Sequence, residues 1–351
     1  MTDARSLGLW ADGMNALSPG PLNSITDVAG LRVGHQTLTG GGIATGVTAI
    51  IPHRGDMFRQ KVRAGVSVIN GFGKSVGLMQ VEELGTIETP ILLTNTFGVA
   101  ACSDALIRRA IMANPDIGRQ ASTVNPLVFE CNDGAINDIQ ALAVQPSDAW
   151  VALNGANEGP MPQGSVGAGT GMTAFGFKAG IGSASRRLEI AGQEFTLGAL
   201  VLANFGRSGD LILPDGRRPN PKSTNLQERG SVIVILATNL PLADLQLQRV
   251  ARRGGAGLAR LGAFWGHGSG DIALAFTTAD PIAHSPSGAF DSVQRLNDDL
   301  IDLPFRAAAE ATQEAVLNAL CAARTTQGRA GQGRADLKFP SLIDWAMATT
   351  R

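Results

Sequence analysis

The chain has 351 residues, with 29 basic and 30 acidic side chains and a formal net charge of −1. That balance argues against a dedicated nucleic-acid binder, which carries a basic stripe or tail. A chain that is 44% hydrophobic and 17% charged is not disordered either, and its length admits two domains or one large α/β domain.

In chain order, residues 1–25 are turn-rich and predict a surface arm. The opening, MTDARSLGLWADG, has early acidic residues and no apolar h-region, so no signal peptide is expected. A glycine-rich loop, 40–46, precedes apolar runs at 47–51, 64–69 and 90–94, each bounded by glycine or proline as strands are. A helix follows over 103–112, opened by the capping pair Ser103-Asp104. A second glycine-rich loop, 164–171, leads toward a strand at 197–202. Residues 206–230 form a long polar loop, rich in Pro, Asn, Lys and Arg, which stops abruptly at the most apolar strand, 232–237. A long helix at 242–261, a strand at 272–276 and a helix at 305–323 come next. The tail 325–338 reads as a flexible connector before a short amphipathic piece. The mixture predicts layered α/β or α+β architecture. No run approaches 18 uninterrupted apolar residues, so no membrane span is expected. No period of 20–50 residues recurs.

Glycine is the unusual count, 44 residues, about one in eight against a usual ~7%. With this much apolar content it predicts close backbone packing and a site built partly from main chain. The segment GSVGAGTG (164–171) lacks the Lys-[Ser/Thr] of a phosphate loop and the strand–turn–helix setting of a dinucleotide fingerprint, which leaves a tight turn. His35, His53, His267 and His284 have no metal-ligand spacing, and no G-x-S-x-G elbow occurs. Cys102, Cys131 and Cys321 are too widely spaced for a disulfide framework or a metal cluster. A cytoplasmic protein without metal or cofactor is the expectation.

The informative junction is Gly230-Ser231, where the polar loop meets the apolar strand. A serine there can attack the preceding carbonyl if the backbone bends, giving an N→O acyl shift and an ester that water cleaves. Glycine at the scissile position tolerates the strain. Cleavage frees Ser231 as a new N-terminus whose α-amine, with an ordinary pKa of about 7.7–8.0, can act as its own general base. Gly-Ser before a strand also fits a plain turn. A second cluster, Ser269-Gly270-Asp271, precedes another apolar strand and places a serine and an acid at a strand mouth. Ordinary Ser/Asp turn chemistry fits it equally. Glu130, Asn132 and Asn204 are polar islands in apolar surroundings, and Asn204, closing a strand, can serve as an oxyanion donor or a strand cap.

These pieces fall in a recognisable order. PLNSITDVAGLRVGH (21–35), GVTAI (46–50), NGFG (70–73), LTNT (93–96), NDI (137–139), ANFG (203–206), GSVIVILATN (230–239) and GSGDI (268–272) resemble the self-processing serine aminopeptidases related to L-aminopeptidase/D-amidase-esterase and the β-peptidyl aminopeptidases. The resemblance spans nearly the whole chain. It implies a four-layer αββα sandwich, related to ornithine acetyltransferase and resembling the N-terminal-nucleophile hydrolases. One catalytic domain, 1–351, would then be cut into 1–230 and 231–351. Ser231 matches the nucleophile and Gly230-Ser231 the processing bond. Ser269 and Asp271 match the supporting serine and acid, although the acid is often Glu. Asn204 matches the oxyanion asparagine and Glu130 an acid of the substrate pocket. Asn132 stands where a tyrosine is known, and Lys74 where an acid is common. The expected substrates are short peptides, aminoacyl amides or esters, and the expected assembly is a homo-oligomer of αβ units, a tetramer or larger. An acyltransferase on the same scaffold is the first alternative, although a threonine usually opens its second chain. The other is an unprocessed glycine-rich binding protein.

Overall fold

The computed structural model describes residues 3–10, 17–221, 230–286, 288–329 and 337–349. The chain opens with the hairpin β1 (Arg32–Gly40) and β2 (Ile43–Ile51), then β3 (Gln60–Gly71), α1 (Leu78–Leu84), β4 (Thr86–Ile87) and β5 (Ile91–Asn95). Next come α2 (Val99–Ala113), β6 (Leu127–Cys131), α3 (Pro146–Asn154) and a two-residue ribbon, β7 (Thr173–Ala174) with β8 (Phe177–Lys178). Long strands β9 (Ile181–Ile190), β10 (Gln193–Asn204) and β11 (Ser231–Thr238) lead to α4 (Asp244–Ala259), β12 (Gly270–Ala283) and α5 (Asp302–Ala322). A ribbon of β13 (Thr326–Gln327) and β14 (Lys338–Phe339) precedes α6 (Leu342–Thr349).

Two sheets stack, one ordered β1-β2-β5-β6 and one ordered β4-β3-β12-β11-β10-β9. Strand periodicity explains the layers, because alternate residues go to opposite faces. On β11, Ile233 and Ile235 join Leu200, Leu202, Ile272 and Leu274 against Ile50, Leu93 and Phe129 of the smaller sheet. Val232, Val234 and Leu236 face the other way, into a core with Leu247, Val250 and Leu258 of α4 and Ala308, Ala311 and Ala315 of α5. On the far side of the small sheet, Val47, Ala49 and Leu92 pack on α2 and α3 through Cys102, Leu106 and Ala152. The result is the αββα sandwich. A strand buried on both faces has no polar side, so β11 reads as an unbroken apolar run.

Three expectations are corrected. The N-terminal segment is no surface arm in its described part: Ala4 and Trp10 are buried, and the Arg5 side chain pairs with Glu314 of α5 at 2.6 Å. Residues 11–16 of that arm lie outside the described residues. Helix α2 begins at Val99, four residues before the expected cap, and Ser103 lies inside it with its hydroxyl donating to the Val99 carbonyl at 2.8 Å. The cap position of α2 is Gly98, with no side-chain cap, and Asn95 instead caps the 3-10 turn 96–98 that leads into the helix, accepting from the Gly98 N–H at 2.7 Å. The third concerns extent: besides the expected strand at 197–202 the large sheet holds a further strand over 181–190, which the sequence reading does not assign. The polar loop ends as expected at β11, but its residues 222–229 and the connector's 330–336 lie outside the described residues.

Candidate active site

Three strand ends meet at one edge of the larger sheet. Strand β10 finishes at Asn204, and β11 starts at Ser231 as its antiparallel partner. Strand β12 starts at Gly270, paired with Ser231 in parallel register. The Oγ of Ser231 accepts a hydrogen bond from the Gly270 N–H at 3.1 Å. Its carbonyl accepts from the Cys131 thiol at 3.3 Å, which ties the smaller sheet's β6 to the start of β11. Burial pushes that thiol well above its ordinary pKa, with the carboxylates of Glu130, Asp271 and Asp133 adding to the effect. Cys131 is thus a neutral donor rather than a nucleophile.

At the mouth of β12, Ser269 donates through Oγ to Asp271 Oδ1 at 2.6 Å, and both side chains are almost fully buried. The turn before them is fastened by Asn70, whose Nδ2 donates to the carbonyls of Gly266 at 3.1 Å and His267 at 3.2 Å and also to that of Ser269. Asn70 sits on β3 opposite Asp271, where the ladder slips by one residue before Val68 pairs with Ile272. Such a bulge re-aims side chains near a site. Gly270 leaves room for this approach: a Cβ there would lie 2.8 Å from the Cα of Gly73.

Glu130, second to last in β6, is 2% exposed. Its Oε1 accepts from the Lys74 main-chain N–H at 2.8 Å, and its Oε2 accepts from the Thr96 hydroxyl. The Lys74 side chain is exposed above, its Nζ 4.2 Å from the Phe72 ring. Asn204 is held at both ends: Oδ1 accepts from the Thr173 N–H at 3.0 Å, and Nδ2 donates to the Asn132 carbonyl at 2.9 Å. An amide nitrogen carries two hydrogens, so one remains beyond that bond. Asn132 touches this group through its carbonyl, while its own side chain accepts from Gly134 N–H at 2.9 Å in a local turn.

The strand register therefore brings Ser231, Asn204, Ser269 and Asp271 together. Gly73 lies between Glu130 and that group, because a Cβ on it would lie 3.7 Å from both Glu130 Oε1 and the Gly270 Cα. Asn70, Thr96, Thr173 and Cys131 are supporting residues that a sequence reading does not assign. Asn70 and Thr96 lie inside the quoted NGFG and LTNT motifs, which is the one signal that could have found them. Among the described residues, no group of three or more His, Cys, Asp or Glu side chains is placed to hold a metal ion, and no helix is long and apolar enough to cross a membrane. A cavity of about 690 Å³ lies elsewhere, lined by Gln163, Cys321, Arg324 and Asp344 among others, and includes none of these site residues.

A family model described as peptidase family S58 matches residues 23–334. The β-peptidyl aminopeptidase BapA of Sphingosinicella microcystinivorans is 38% identical over 352 aligned residues, covering 93% of this chain and 87% of that protein. The crystal structure of the PH0078 protein from Pyrococcus horikoshii OT3 superposes with a TM-score of 0.90 at 44% identity, over 99% of this chain and 98% of that one. The L-aminopeptidase D-Ala-esterase/amidase of Ochrobactrum anthropi, described as a prototype for the serine aminopeptidases and a new variant among the Ntn hydrolase fold, gives a TM-score of 0.87. Its identity is 36%, over 100% and 98% of the two chains.

Proposed function

The chain belongs to peptidase family S58, and from that premise we propose a self-processing aminopeptidase whose nucleophile is Ser231. It is a peptide hydrolase of the aminopeptidase and amidase type on an N-terminal-nucleophile-hydrolase fold. The observation that supports the proposed nucleophile is the position of Ser231, whose hydroxyl is bonded to Gly270 N–H in register with Asn204.

In the processing step, Ser231 Oγ attacks the Gly230 carbonyl carbon, and the peptide nitrogen leaves as an amine. Water then cleaves the resulting ester, releasing the Gly230 carboxylate and the Ser231 α-amine. In turnover, Oγ attacks the substrate acyl carbon while that amine takes its proton and passes it to the substrate's amine or alcohol, which leaves as its bond to the acyl carbon breaks. The second amide hydrogen of Asn204 steadies the oxyanion, a contribution worth several kcal/mol in comparable sites, ~3 kcal/mol in order of magnitude. Ser269 and Asp271 hold the amine, and water resolves the acyl-enzyme.

Glu130 binds the substrate's ammonium group, which restricts substrates to short peptides, amides or esters with a free N-terminal amine. Asn132, the second residue we assign to the substrate pocket, accepts from Asn204 Nδ2 through its main-chain carbonyl while its side-chain oxygen accepts from Gly134 N–H. The assembly we propose is a cytoplasmic homo-oligomer of cleaved αβ units, a tetramer or larger. No step requires a metal, so activity should persist in chelators and return nothing on adding divalent ions.

The test is the intact mass of the purified protein on denaturation. Two chains, 1–230 and 231–351, with Ser231 at the second N-terminus, are expected, and Ser231→Ala should give one inactive chain of 351 residues. A wild type that hydrolyses aminoacyl p-nitroanilides while still uncut would overturn this reading.

A further inference from the structure

Away from the site, at the opposite end of β5, a cavity of about 200 Å³ is lined by Arg32, Arg54 and Arg109 together with Asp56, Glu88 and residues of the β2 and β5 ends. The acids around it are already satisfied. Asp56 accepts through Oδ1 from Phe58 N–H at 2.9 Å and through Oδ2 from Asn114 Nδ2 at 2.8 Å. Glu88 accepts from Asn125 N–H at 2.9 Å and pairs with Lys61 at 2.7 Å. Glu158, whose field also reaches Arg32, takes a two-point contact from Arg54 at 2.6 and 2.8 Å at the exposed rim.

The bases are not. Among the described residues neither Arg32 nor Arg109 has an ion pair with a carboxylate, and the buried Nε of Arg32 meets no acceptor. Arg109 lies over the face of Trp150, 5.8 Å from its centroid. Its guanidinium is held below the ordinary arginine range by burial first, then by the neighbouring Arg32, with Asp56 offsetting part of this. Two like charges facing one small cavity repel, and an unsatisfied buried donor carries a cost of its own. A multivalent anion removes both penalties, because guanidinium forks match oxyanions at two points. The volume is below that of an ordinary small-molecule pocket, which limits the occupant to an ion and little more.

We propose that the Arg32–Arg109 cavity is a binding site for a small oxyanion of phosphate size, distinct from the catalytic site. The two sites cap opposite ends of one unit: β5 runs from the cavity wall at Pro90 to Asn95, and α2 returns from Val99 to Arg109. The reading is independent of the aminopeptidase assignment.

The experiment is calorimetric titration of the full-length protein with inorganic phosphate at fixed ionic strength, with chloride as the competing background. Saturable binding of one ion per chain is expected, weakened at least tenfold in Arg109→Met and abolished in the Arg32→Met/Arg109→Met double variant. Unaltered aminopeptidase turnover in Arg109→Met shows that the variant is folded, and Arg109→Lys should retain part of the affinity. Phosphate heats indistinguishable from those of chloride, or equal phosphate affinity in wild type and double variant, would overturn the proposal.

Discussion

The main-chain N–H of Gly270 points at the hydroxyl of Ser231, 3.1 Å away, so the donor that opens one strand meets the side chain that opens its neighbour. The pairing holds the serine Oγ through a main-chain donor. It also sets a permanent dipole against the charge that develops on Oγ as its proton leaves. Both residues start strands of a sheet buried on both faces.

The same packing makes a prediction for Gly230, the proposed scissile residue. A Cβ on Gly230 would lie 1.9 Å from the Asn204 carbonyl oxygen and 2.8 Å from the Phe205 Cα, both main chain. The end of β10 would have to open to accommodate it, which moves Asn204 away from Ser231. Gly230→Ala should therefore mature at least tenfold more slowly than wild type, followed as loss of the full-length band on a denaturing gel. Maturation at the wild-type rate would show that the loop carries the bond elsewhere before cleavage.

A second prediction separates substrate binding from self-cleavage. Glu130 is buried and accepts from Lys74 N–H and the Thr96 hydroxyl, and Glu130→Gln keeps the shape while removing the charge. The hydroxyl of Thr96 can turn to accept from the new amide, so the fold should tolerate the change. Processing involves no free ammonium group and should be retained. On amine-bearing substrates kcat/KM should fall at least tenfold, equivalent to ~1.4 kcal/mol, while esters lacking the amine are turned over nearly as before. An equal loss on both classes would assign Glu130 to general catalysis or to structure.

What could be read from the sequence follows from how local each feature is. Ser231, Ser269 and Asp271 stand at abrupt polar-to-apolar boundaries, and the strands behind them are unbroken apolar runs, so position and element are both visible. Strand β9 was hidden because its sequence, IGSASRRLEI, looks polar. Its Arg186 is fully buried only because Glu310 and Glu314, more than a hundred residues later on α5, meet it at 3.2 and 2.7 Å. Asn70 has the same difficulty: its role is defined by carbonyls of a turn almost two hundred residues away. Local pattern finds strand mouths; it cannot find partners that only tertiary packing supplies.

The acid at Asp271 can be tested against its serine. Ser269→Ala removes the donor of the 2.6 Å bond and leaves the carboxylate, whereas Asp271→Asn keeps an acceptor for Ser269 and removes the charge. If the charge steadies the Ser231 amine as it becomes protonated, Asp271→Asn should lower kcat about a hundredfold, ~2.7 kcal/mol of transition-state stabilisation. Ser269→Ala should cost nearer tenfold, with KM little changed in either. The reverse order would make Ser269 the group that meets the reacting atoms.

Stability should carry a separate acid dependence from His35. This residue lies on β1 opposite Thr48, its Nδ1 2.9 Å from the threonine hydroxyl. Burial lowers its pKa from 6.5 to about 4, opposed in part by the Pro162 carbonyl. Between those two values the unfolded chain takes up a proton that the folded chain refuses, so stability is lost as pH falls through that window. The slope can reach ~1.4 kcal/mol per pH unit for one proton. Above about pH 6.5 the histidine is neutral in both states and contributes no dependence. His35→Gln removes the titration, so its urea midpoint should fall less than that of wild type between pH 6.5 and 4, with the two running parallel above pH 7. The proposed Ser231 amine titrates in the mildly alkaline range, well clear of this window, so loss of activity above pH 6.5 cannot be assigned to His35. Equal falls in midpoint for wild type and variant between pH 7 and 4.5 would show that His35 takes up its proton alike in the folded and unfolded chain and that acid sensitivity arises elsewhere.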